Sequence, residues 1–240
     1  MDYRNWLGGQ AREYLGLELN GEQLDQFGRY YQRLVEGNRR LNLTAITEEK
    51  DVYIKHFYDS LTLTVRLPVT QLESVIDVGT GAGFPGIPLK IAFPHLQVVL
   101  LDSLNKRISF LQQLTEELGL TGVECVHGRA EEVARRRQYR ESFDLATARA
   151  VARLNVLAEY CLPFVRVGGW FTAMKGPDIS EEIEESNRAV EKLGGADVDP
   201  VSLSLPQGLG ERHLLMIRKE SPTPKTYPRK PGTPSRKPII

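Results

Sequence analysis

The segment Asp77–Gly86, DVGTGAGFPG, contains four glycines within eight residues and lies between two apolar segments, SVI and IPLKIAF. An apolar strand, a glycine-rich loop and a helix in this order are typical of nucleotide-type binding sites. Because glycine has no Cβ, the backbone can turn sharply and approach a ligand closely. The segment therefore predicts a ligand-binding loop rather than a purely structural turn.

Two ligand patterns overlap in this loop. Gly81 begins a G-x-G-x-x-G pattern, and Asp102 follows it by 21 residues, the spacing of the acid that binds a ribose in dinucleotide sites. Asp77 begins a D-x-G-x-G-x-G pattern over the same residues, which suits S-adenosylmethionine. The glycines would serve both ligands equally, so the loop alone leaves the choice open.

The rest of the chain predicts three regions. Residues 1–70 have helical periodicity, with Asn20 and Thr47 as candidate N-caps. In residues 71–219, five apolar segments alternate with helical ones, which indicates a parallel sheet between helical layers. Two final segments lack an intervening helix and predict an antiparallel hairpin. Residues 220–240 form a basic tail whose six prolines predict extended backbone without helix.

Three observations favour S-adenosylmethionine over a dinucleotide. No second domain follows residue 219, although a nicotinamide enzyme normally needs one for its substrate. Seven strands with an antiparallel finish match the Rossmann-like fold of class I SAM-dependent methyltransferases. Ala130 and Glu131 follow the third strand and can flank an adenine and accept a hydrogen bond from its amine. Glu131 and Glu132 could also be acids that stabilise the start of a helix; this interpretation is preferred for Glu132, and both interpretations stay open for Glu131.

Several further motifs resemble one family. They are NLTAI at 42–46, KHFYDSL at 55–61, LDSLNKRISFL at 101–111, GRAEE at 128–132, FDLATARAVA at 143–152 and YPRKPGTPSRKP at 227–238. Together with the glycine loop they are similar to the GidB (RsmG) family of bacterial 16S ribosomal RNA guanine-N7 methyltransferases. The resemblance runs from about residue 20 to the tail without large gaps.

The resemblance implies an activity and a cofactor site. The activity is transfer of a methyl group from S-adenosylmethionine to N7 of one guanine in 16S rRNA, with S-adenosylhomocysteine as the second product. The implied cofactor-binding residues are Gly79, Gly81, Phe84, Asp102, Ser103, Leu104, Ala130, Glu131 and Arg149.

Methylation at N7 needs no general base, because this nitrogen carries an in-plane lone pair and no proton. We therefore expect no catalytic residue, and His56 is interpreted as a packed helix residue. The segment after strand four, TARAVAR, lacks the N/D-P-P-Y/F motif that grips exocyclic amines. Neither H-E-x-x-H nor zinc-type Cys/His spacing is found, so no metal is expected.

Basic residues suggest where RNA binds. The charges of the 31 basic and 31 acidic side chains cancel, yet five of the Lys and Arg residues lie within residues 221–240, which contain no acidic residue. Such asymmetry suggests a polyanionic partner, although a basic, proline-rich tail is often only a solvated segment. The candidate RNA-contacting residues are Arg153, Lys175, Arg229 and Lys230.

The remaining expectations concern partners and compartment. The expected partner is 16S rRNA or the small ribosomal subunit, and a monomer is expected. No apolar segment is long enough for a membrane span. Cys125 and Cys161 show no paired spacing and are interpreted as buried thiols in a reducing cytoplasm. Two alternatives stay open: an NAD(P)-dependent oxidoreductase and a non-enzymatic ribosome assembly factor.

Overall fold

A computed structural model describes all residues, 1–240. Its centre is one seven-stranded sheet in the order β3-β2-β1-β4-β5-β7-β6. Strands β1 to β5 are parallel, whereas β7 runs antiparallel to both β5 and β6. The strands are β1 (Ser74–Val78), β2 (Gln97–Asp102), β3 (Val123–His127), β4 (Phe143–Arg149), β5 (Val165–Lys175), β6 (Asp199–Ser204) and β7 (Glu211–Arg218).

The strand order reverses between β1 and β4, which lie side by side with Val75 opposite Leu145. In open parallel sheets, ligands bind outside the carboxyl ends of the strands at such a reversal. The loops after β1 and β4 therefore meet at one edge. This arrangement confirms the predicted sheet and its antiparallel finish.

Ten α-helical segments surround the sheet. They are α1 (Tyr3–Leu15), α2 (Gly21–Leu41), α3 (Glu49–Val52), α4 (Asp59–Leu61), α5 (Gly86–Ala92), α6 (Asn105–Glu117), α7 (Ala130–Val133), α8 (Leu154–Cys161), α9 (Ser180–Lys192) and α10 (Thr233–Arg236). A π-helix, Tyr53–Tyr58, joins α3 and α4 into one continuous helical segment, residues 49–61.

The two predicted N-caps have different outcomes. The Asn20 side chain accepts a hydrogen bond from the Gln23 backbone N–H, and the Gln23 side chain accepts one from the Asn20 backbone N–H, so this N-cap is confirmed. The Thr47 prediction is wrong: α3 begins at Glu49, and Glu48 is the extended residue before it. Thr47 thus lies one position outside the cap.

The N-terminal helices share their core with the sheet. Phe27 of α2 and Phe57 of the π-helix belong to the same buried cluster as Val75 of β1 and Leu100 of β2. A second cluster fills the opposite face of the sheet, where Leu157 of α8 packs. Residues 1–70 are therefore one helical layer on the sheet, and they bring the segment 49–61 to its ligand edge.

The tail folds back onto the sheet domain. Arg140 donates hydrogen bonds to the carbonyl oxygens of Thr223 (2.8 Å) and Tyr227 (2.9 Å), while Pro228 and Pro234 are buried. The prediction of a tail without helix is wrong, because α10 lies within it. Pro234 is tolerated there since it occupies the first turn, where a backbone N–H has no helical partner.

Two further observations concern the chain as a whole. No helix combines the length and the apolar character needed to cross a bilayer. Both cysteines are free thiols, and Cys161 is buried as predicted, whereas Cys125 is only half-buried.

Candidate cofactor and substrate clefts

The glycine loop after β1 requires glycine for two different reasons. Gly79 has φ +71°, and a Cβ placed there would lie 2.7 Å from Cγ2 of Val151. Gly81 has φ +63°, but a Cβ there would meet nothing within 4 Å. Gly79 is thus constrained by both conformation and space, whereas Gly81 is constrained by conformation alone.

Asp77, at the buried base of the glycine loop, forms hydrogen bonds with residues near both ends of the loop. Its Oδ2 accepts hydrogen bonds from the Thr80 hydroxyl (2.7 Å) and the Gly86 backbone N–H (2.8 Å). Burial raises the pKa of Asp77 to about 6. Oδ1 has no hydrogen-bond partner. Asp77 therefore shapes the loop from inside the protein and does not face the cleft.

Asp102, at the end of β2, joins the glycine loop to the next loop. Its Oδ2 accepts from the Gly81 N–H (3.0 Å) and its Oδ1 from the Leu104 N–H (2.9 Å). Arg107 donates a third hydrogen bond at 3.2 Å. The side chain is only 2% exposed. These bonds fix the orientation of the carboxylate at the rim of the cleft.

A cleft of about 130 Å³ lies at the carboxyl ends of β1, β2 and β3, and we call it the acidic cleft. Among its lining residues, the sequence predicted Gly79, Asp102, Ser103, Ala130 and Glu131. The remaining lining residues are Val78, Leu101, Gly128, Arg129, Val151 and Tyr160. The structure thus brings five of the nine predicted cofactor residues to one place.

Phe84 and Arg149 lie outside the acidic cleft. The Phe84 ring is buried and stacks between Tyr30 (5.2 Å between ring centroids) and His56 (4.5 Å). The guanidinium of Arg149 lies 4.9 Å from the centre of the same ring, within cation–π distance. Leu104 is 42% exposed and is not among the residues lining this cleft.

Arg149 is held by the helical segment 49–61. Its guanidinium donates to the Lys55 carbonyl oxygen (3.0 Å) and to Asp59 Oδ2 (3.2 Å), and it lies 3.2 Å from His56 Nδ1. Arg212, from β7, approaches the same Asp59 oxygen at 3.4 Å. Two cations from different strands therefore converge on one buried carboxylate.

These residues line a second cleft of about 400 Å³, which we call the basic cleft. Its lining residues are Ile46, Lys55, His56, Asp59, Arg149, Ala150, Met174, Lys175, Gly176 and Arg212. Four of them are Lys or Arg and one, Asp59, is an acid; Lys55 and Lys175 are also paired with Asp51 (2.8 Å) and Glu182 (2.5 Å), so the four cations outnumber these three acids by one. The basic cleft thus suits an anionic or hydrogen-bond-accepting ligand.

Burial controls the titration of the groups in the basic cleft. It lowers the pKa of His56 to about 3, and the charge of Arg149 acts in the same direction, so the imidazole is neutral at physiological pH. Burial also raises the pKa of Asp59, although Arg149 and Arg212 oppose that shift. A buried, neutral His56 that bonds Thr44 (2.9 Å) and stacks on Phe84 agrees with the interpretation of a packed residue.

The candidate RNA-contacting residues have different environments. Lys175 is 2.5 Å from Glu182 and lines the basic cleft, whereas Arg153 forms an exposed pair with Glu185 at 2.8 Å. Arg229 lies 2.6 Å from Glu159. Lys230 is exposed and its side chain has no partner.

The family model of GidB, described as rRNA small subunit methyltransferase G, matches residues 23–215. The chain belongs to the GidB family. Its relative named ribosomal RNA small subunit methyltransferase G from Exiguobacterium sibiricum is 54% identical over 224 residues, 93% of this chain and 94% of that protein. The protein of the same name from Halalkalibacterium halodurans is 53% identical over 230 residues, 96% of this chain and 97% of the relative.

Solved structures agree with this membership at the level of the fold. A SAM-dependent O-methyltransferase from Thermotoga maritima has a TM-score of 0.53 at 14% identity, covering 80% of this chain and 72% of that chain. The mitomycin 7-O-methyltransferase MmcR has a TM-score of 0.56 at 15% identity, covering 79% and 60%. The GidB chain therefore has the predicted class I methyltransferase fold, and the oxidoreductase alternative finds no support.

Sequence reasoning missed several residues of the clefts in this GidB protein. Asp59 and Lys55 lie within KHFYDSL, where polar residues interrupt an apolar helical pattern, and this interruption was an available signal. Tyr160 and Val151 gave no comparable signal, because both read as ordinary helix or loop residues. Arg212 reaches the site only through the pairing of β7 with β5.

Proposed function

We propose that this protein transfers the methyl group of S-adenosylmethionine to N7 of a guanine in 16S rRNA. The observation that carries the proposal is the junction of two clefts at the reversal of strand order. The acidic cleft and the basic cleft lie on either side of the loop that follows β4, and Val151 and Arg149 each line one of them. Family membership supports the same activity.

The residues of the acidic cleft fit the cofactor. Asp102 would bind the ribose hydroxyls, because three hydrogen bonds already orient its carboxylate and a carboxylate accepts about four. Ala130 and Glu131 would flank the adenine. Because Gly79 has no side chain, its backbone would allow close approach of the methionine portion once Val151, which now covers it, moves aside. Bound there, S-adenosylmethionine would supply an electrophilic methyl group.

Val151 has to move for this fit to be complete. A cleft of 130 Å³ is smaller than the roughly 300–1,000 Å³ typical of ligand pockets. Val151 covers Gly79, is 40% exposed and follows Ala150, whose φ is +56°. Displacement of this exposed side chain would extend the acidic cleft along the glycine loop towards Arg149.

The basic cleft would receive the target nucleotide. Lys55, Arg149 and Arg212 offer donors for guanine O6 or for a phosphate, while N7 must stay free for attack. N7 would attack the methyl carbon in line as the bond from that carbon to sulfur breaks, and no proton leaves N7. Proximity and alignment would supply the rate gain, on the order of 7–11 kcal/mol.

Labelled methyl transfer tests this function. Wild-type protein, S-adenosylmethionine with a tritiated methyl group and 16S rRNA are incubated, and the RNA is hydrolysed to bases. We expect the label in 7-methylguanine. Label on an exocyclic amine or on ribose would refute N7 as the target, and binding of the RNA without any label would favour an assembly factor.

We also propose that exposed cations of the tail bind RNA phosphates. Lys225, Lys230 and Arg236 are exposed, whereas Arg229 is omitted because its guanidinium is committed to Glu159. Replacing these three residues by alanine should lower the slope of log affinity against log salt by roughly 0.7–0.9 for each phosphate that is no longer neutralised. An unchanged slope would show that these cations do not bind RNA.

A further inference from the structure

The tail reaches the acidic cleft through one hydrogen bond. The backbone N–H of Gly232 donates to Oε1 of Glu131 at 2.9 Å, although 101 residues separate them. Glu131 is only 4% exposed and lines the acidic cleft. A carboxylate of the acidic cleft therefore accepts a hydrogen bond from the basic tail, the segment whose composition suggested RNA binding.

A buried ion pair anchors the tail three residues before this bond. The guanidinium of Arg229 lies 2.6 Å from Oε2 of Glu159, and its backbone N–H donates to Oε1 at 2.7 Å. Glu159 is fully buried. Such charge-assisted, bidentate hydrogen bonds fix geometry more strongly than neutral ones. The position of residues 229–232 is thus set independently of Glu131.

A second anchor ties the tail to the segment that follows α7. Arg135, just beyond α7, donates to the carbonyl oxygens of Thr226 (3.1 Å) and Pro228 (2.5 Å). Helix α10 packs against α8, which carries Tyr160 of the acidic cleft. The tail therefore bridges the two helices that wall the cleft.

We propose that residues 229–232 are a positioning element of the cofactor site. Held by the Gly232 N–H, the Glu131 carboxylate keeps the orientation in which it accepts a hydrogen bond from the exocyclic amine of adenine. Without that donor the side chain can rotate, and ordering it upon binding costs affinity. This inference rests on the proposed function, since it assumes that adenine occupies the acidic cleft.

Calorimetry with two nucleosides tests the inference. Gly232→Pro removes the donor and cannot adopt the observed φ of +76°, while the Arg229–Glu159 anchor stays. The ligands are S-adenosylhomocysteine and S-inosylhomocysteine, which has an oxygen in place of the amine. We expect the variant to bind S-adenosylhomocysteine about tenfold more weakly, equivalent to roughly 1.4 kcal/mol, and S-inosylhomocysteine almost unchanged.

Two further variants complete this experiment, one as a control and one as an alternative to Gly232→Pro. Lys237→Ala removes an exposed tail cation and should leave both affinities unchanged. Arg229→Lys keeps the charge but loses the bidentate geometry, so it should show the same selective loss in weaker form if Gly232→Pro does not fold.

The outcomes separate this inference from the proposed function. An equal loss for both nucleosides would overturn the inference, because it would indicate general damage to the cleft rather than loss of amine recognition. Unchanged S-adenosylhomocysteine affinity in a folded Gly232→Pro variant would overturn it as well. Failure of the wild-type protein to bind S-adenosylhomocysteine would refute the proposed function itself.

Discussion

The acidic cleft and the basic cleft share the carboxyl edge of one sheet, yet they have opposite character. The acidic cleft uses Asp102, Glu131 and the backbone of a glycine loop. The basic cleft collects Lys55, Arg149, Lys175 and Arg212 around one buried aspartate. A cofactor with a cationic sulfonium suits the first environment, and a polyanionic substrate suits the second.

The comparison teaches that the two halves of the proposed reaction are held by different parts of the chain. The acidic cleft is built from the ends of β1, β2 and β3 and the loops that follow them, with Val151 after β4 and Tyr160 of α8 completing the lining. The basic cleft exists only because the helical segment 49–61 packs across the ends of β4 and β5. We therefore expect substitutions to separate cofactor affinity from RNA methylation.

Gly79→Val should have the largest effect, a loss of cofactor affinity with RNA binding retained. The new side chain would need φ near +71° and would collide with Val151, and it would occupy the space above the loop. We expect S-adenosylhomocysteine affinity to fall roughly 1,000-fold, equivalent to about 4 kcal/mol, as measured by calorimetry.

The matched control is Gly81→Ala. Its Cβ would meet nothing, so only the left-handed backbone conformation is penalised, by about 1–2 kcal/mol. If both variants lost affinity equally, backbone strain rather than ligand space would explain the glycines. RNA binding should persist in both, because the basic cleft is untouched.

The same contrast explains what the sequence could predict. Gly79, Asp102 and Glu131 each lie at or just after the end of a strand, so local pattern and spacing singled them out, and the family resemblance then assigned Glu131 to the cofactor. Asp59 and Arg212 are 153 residues apart and meet only after the sheet and the helical layer have packed. No local periodicity encodes such a meeting, and the polar residues that interrupt KHFYDSL could mark Asp59 but not Arg212.

The tail shows the limit of composition as a guide. Its prolines and cations predicted an extended, RNA-facing segment. Composition gives the number of charged side chains but does not show which of them form ion pairs within the protein. The buried acid Glu159 determines where Arg229 lies, and nothing in the tail itself reveals that acid.

His56→Asn should change how the free energy of unfolding depends on pH, because His56 is a buried titrating group of the basic cleft. The folded pKa of His56 is about 3, below its ordinary 6.5, so the unfolded state binds more protons between these values. Stability from this group is therefore complete above pH 6.5 and is lost as the pH falls towards 3. By pH 4 the loss is about 3 kcal/mol, and the variant should escape it.

Chemical denaturation at pH 6.5 and pH 4 measures this difference. Asp77 acts in the opposite direction, because its folded pKa of about 6 means that protonation favours the folded state as the pH falls. The comparison is therefore made between wild type and variant, where the contribution of Asp77 cancels. Equal losses of unfolding free energy in the two proteins would show that His56 titrates normally.

Arg212→Ala should separate catalysis from cofactor binding. It removes one of the two cations on Asp59 and one donor of the basic cleft. We expect kcat/KM for 16S rRNA to fall about tenfold, in the range expected for removal of a charged hydrogen bond, with unchanged S-adenosylhomocysteine affinity. Arg66→Ala is the control, because Arg66 is exposed and pairs only with Asp199 at 3.4 Å. An equal fall in both variants would indicate a general effect of surface charge.

Val151→Ala addresses the boundary between the clefts and should have the smallest effect. Val151 covers Gly79, so truncation removes methyl groups that a cofactor bound as proposed would have to displace. We expect S-adenosylhomocysteine to bind about threefold more tightly, equivalent to roughly 0.6 kcal/mol, while RNA affinity stays constant. Val167→Ala, an exposed valine of β5 outside both clefts, should change neither. Weaker binding in Val151→Ala would reverse the interpretation: the valine would then touch the bound nucleoside, and the small volume of the acidic cleft would reflect a wall of the site rather than an obstacle to it.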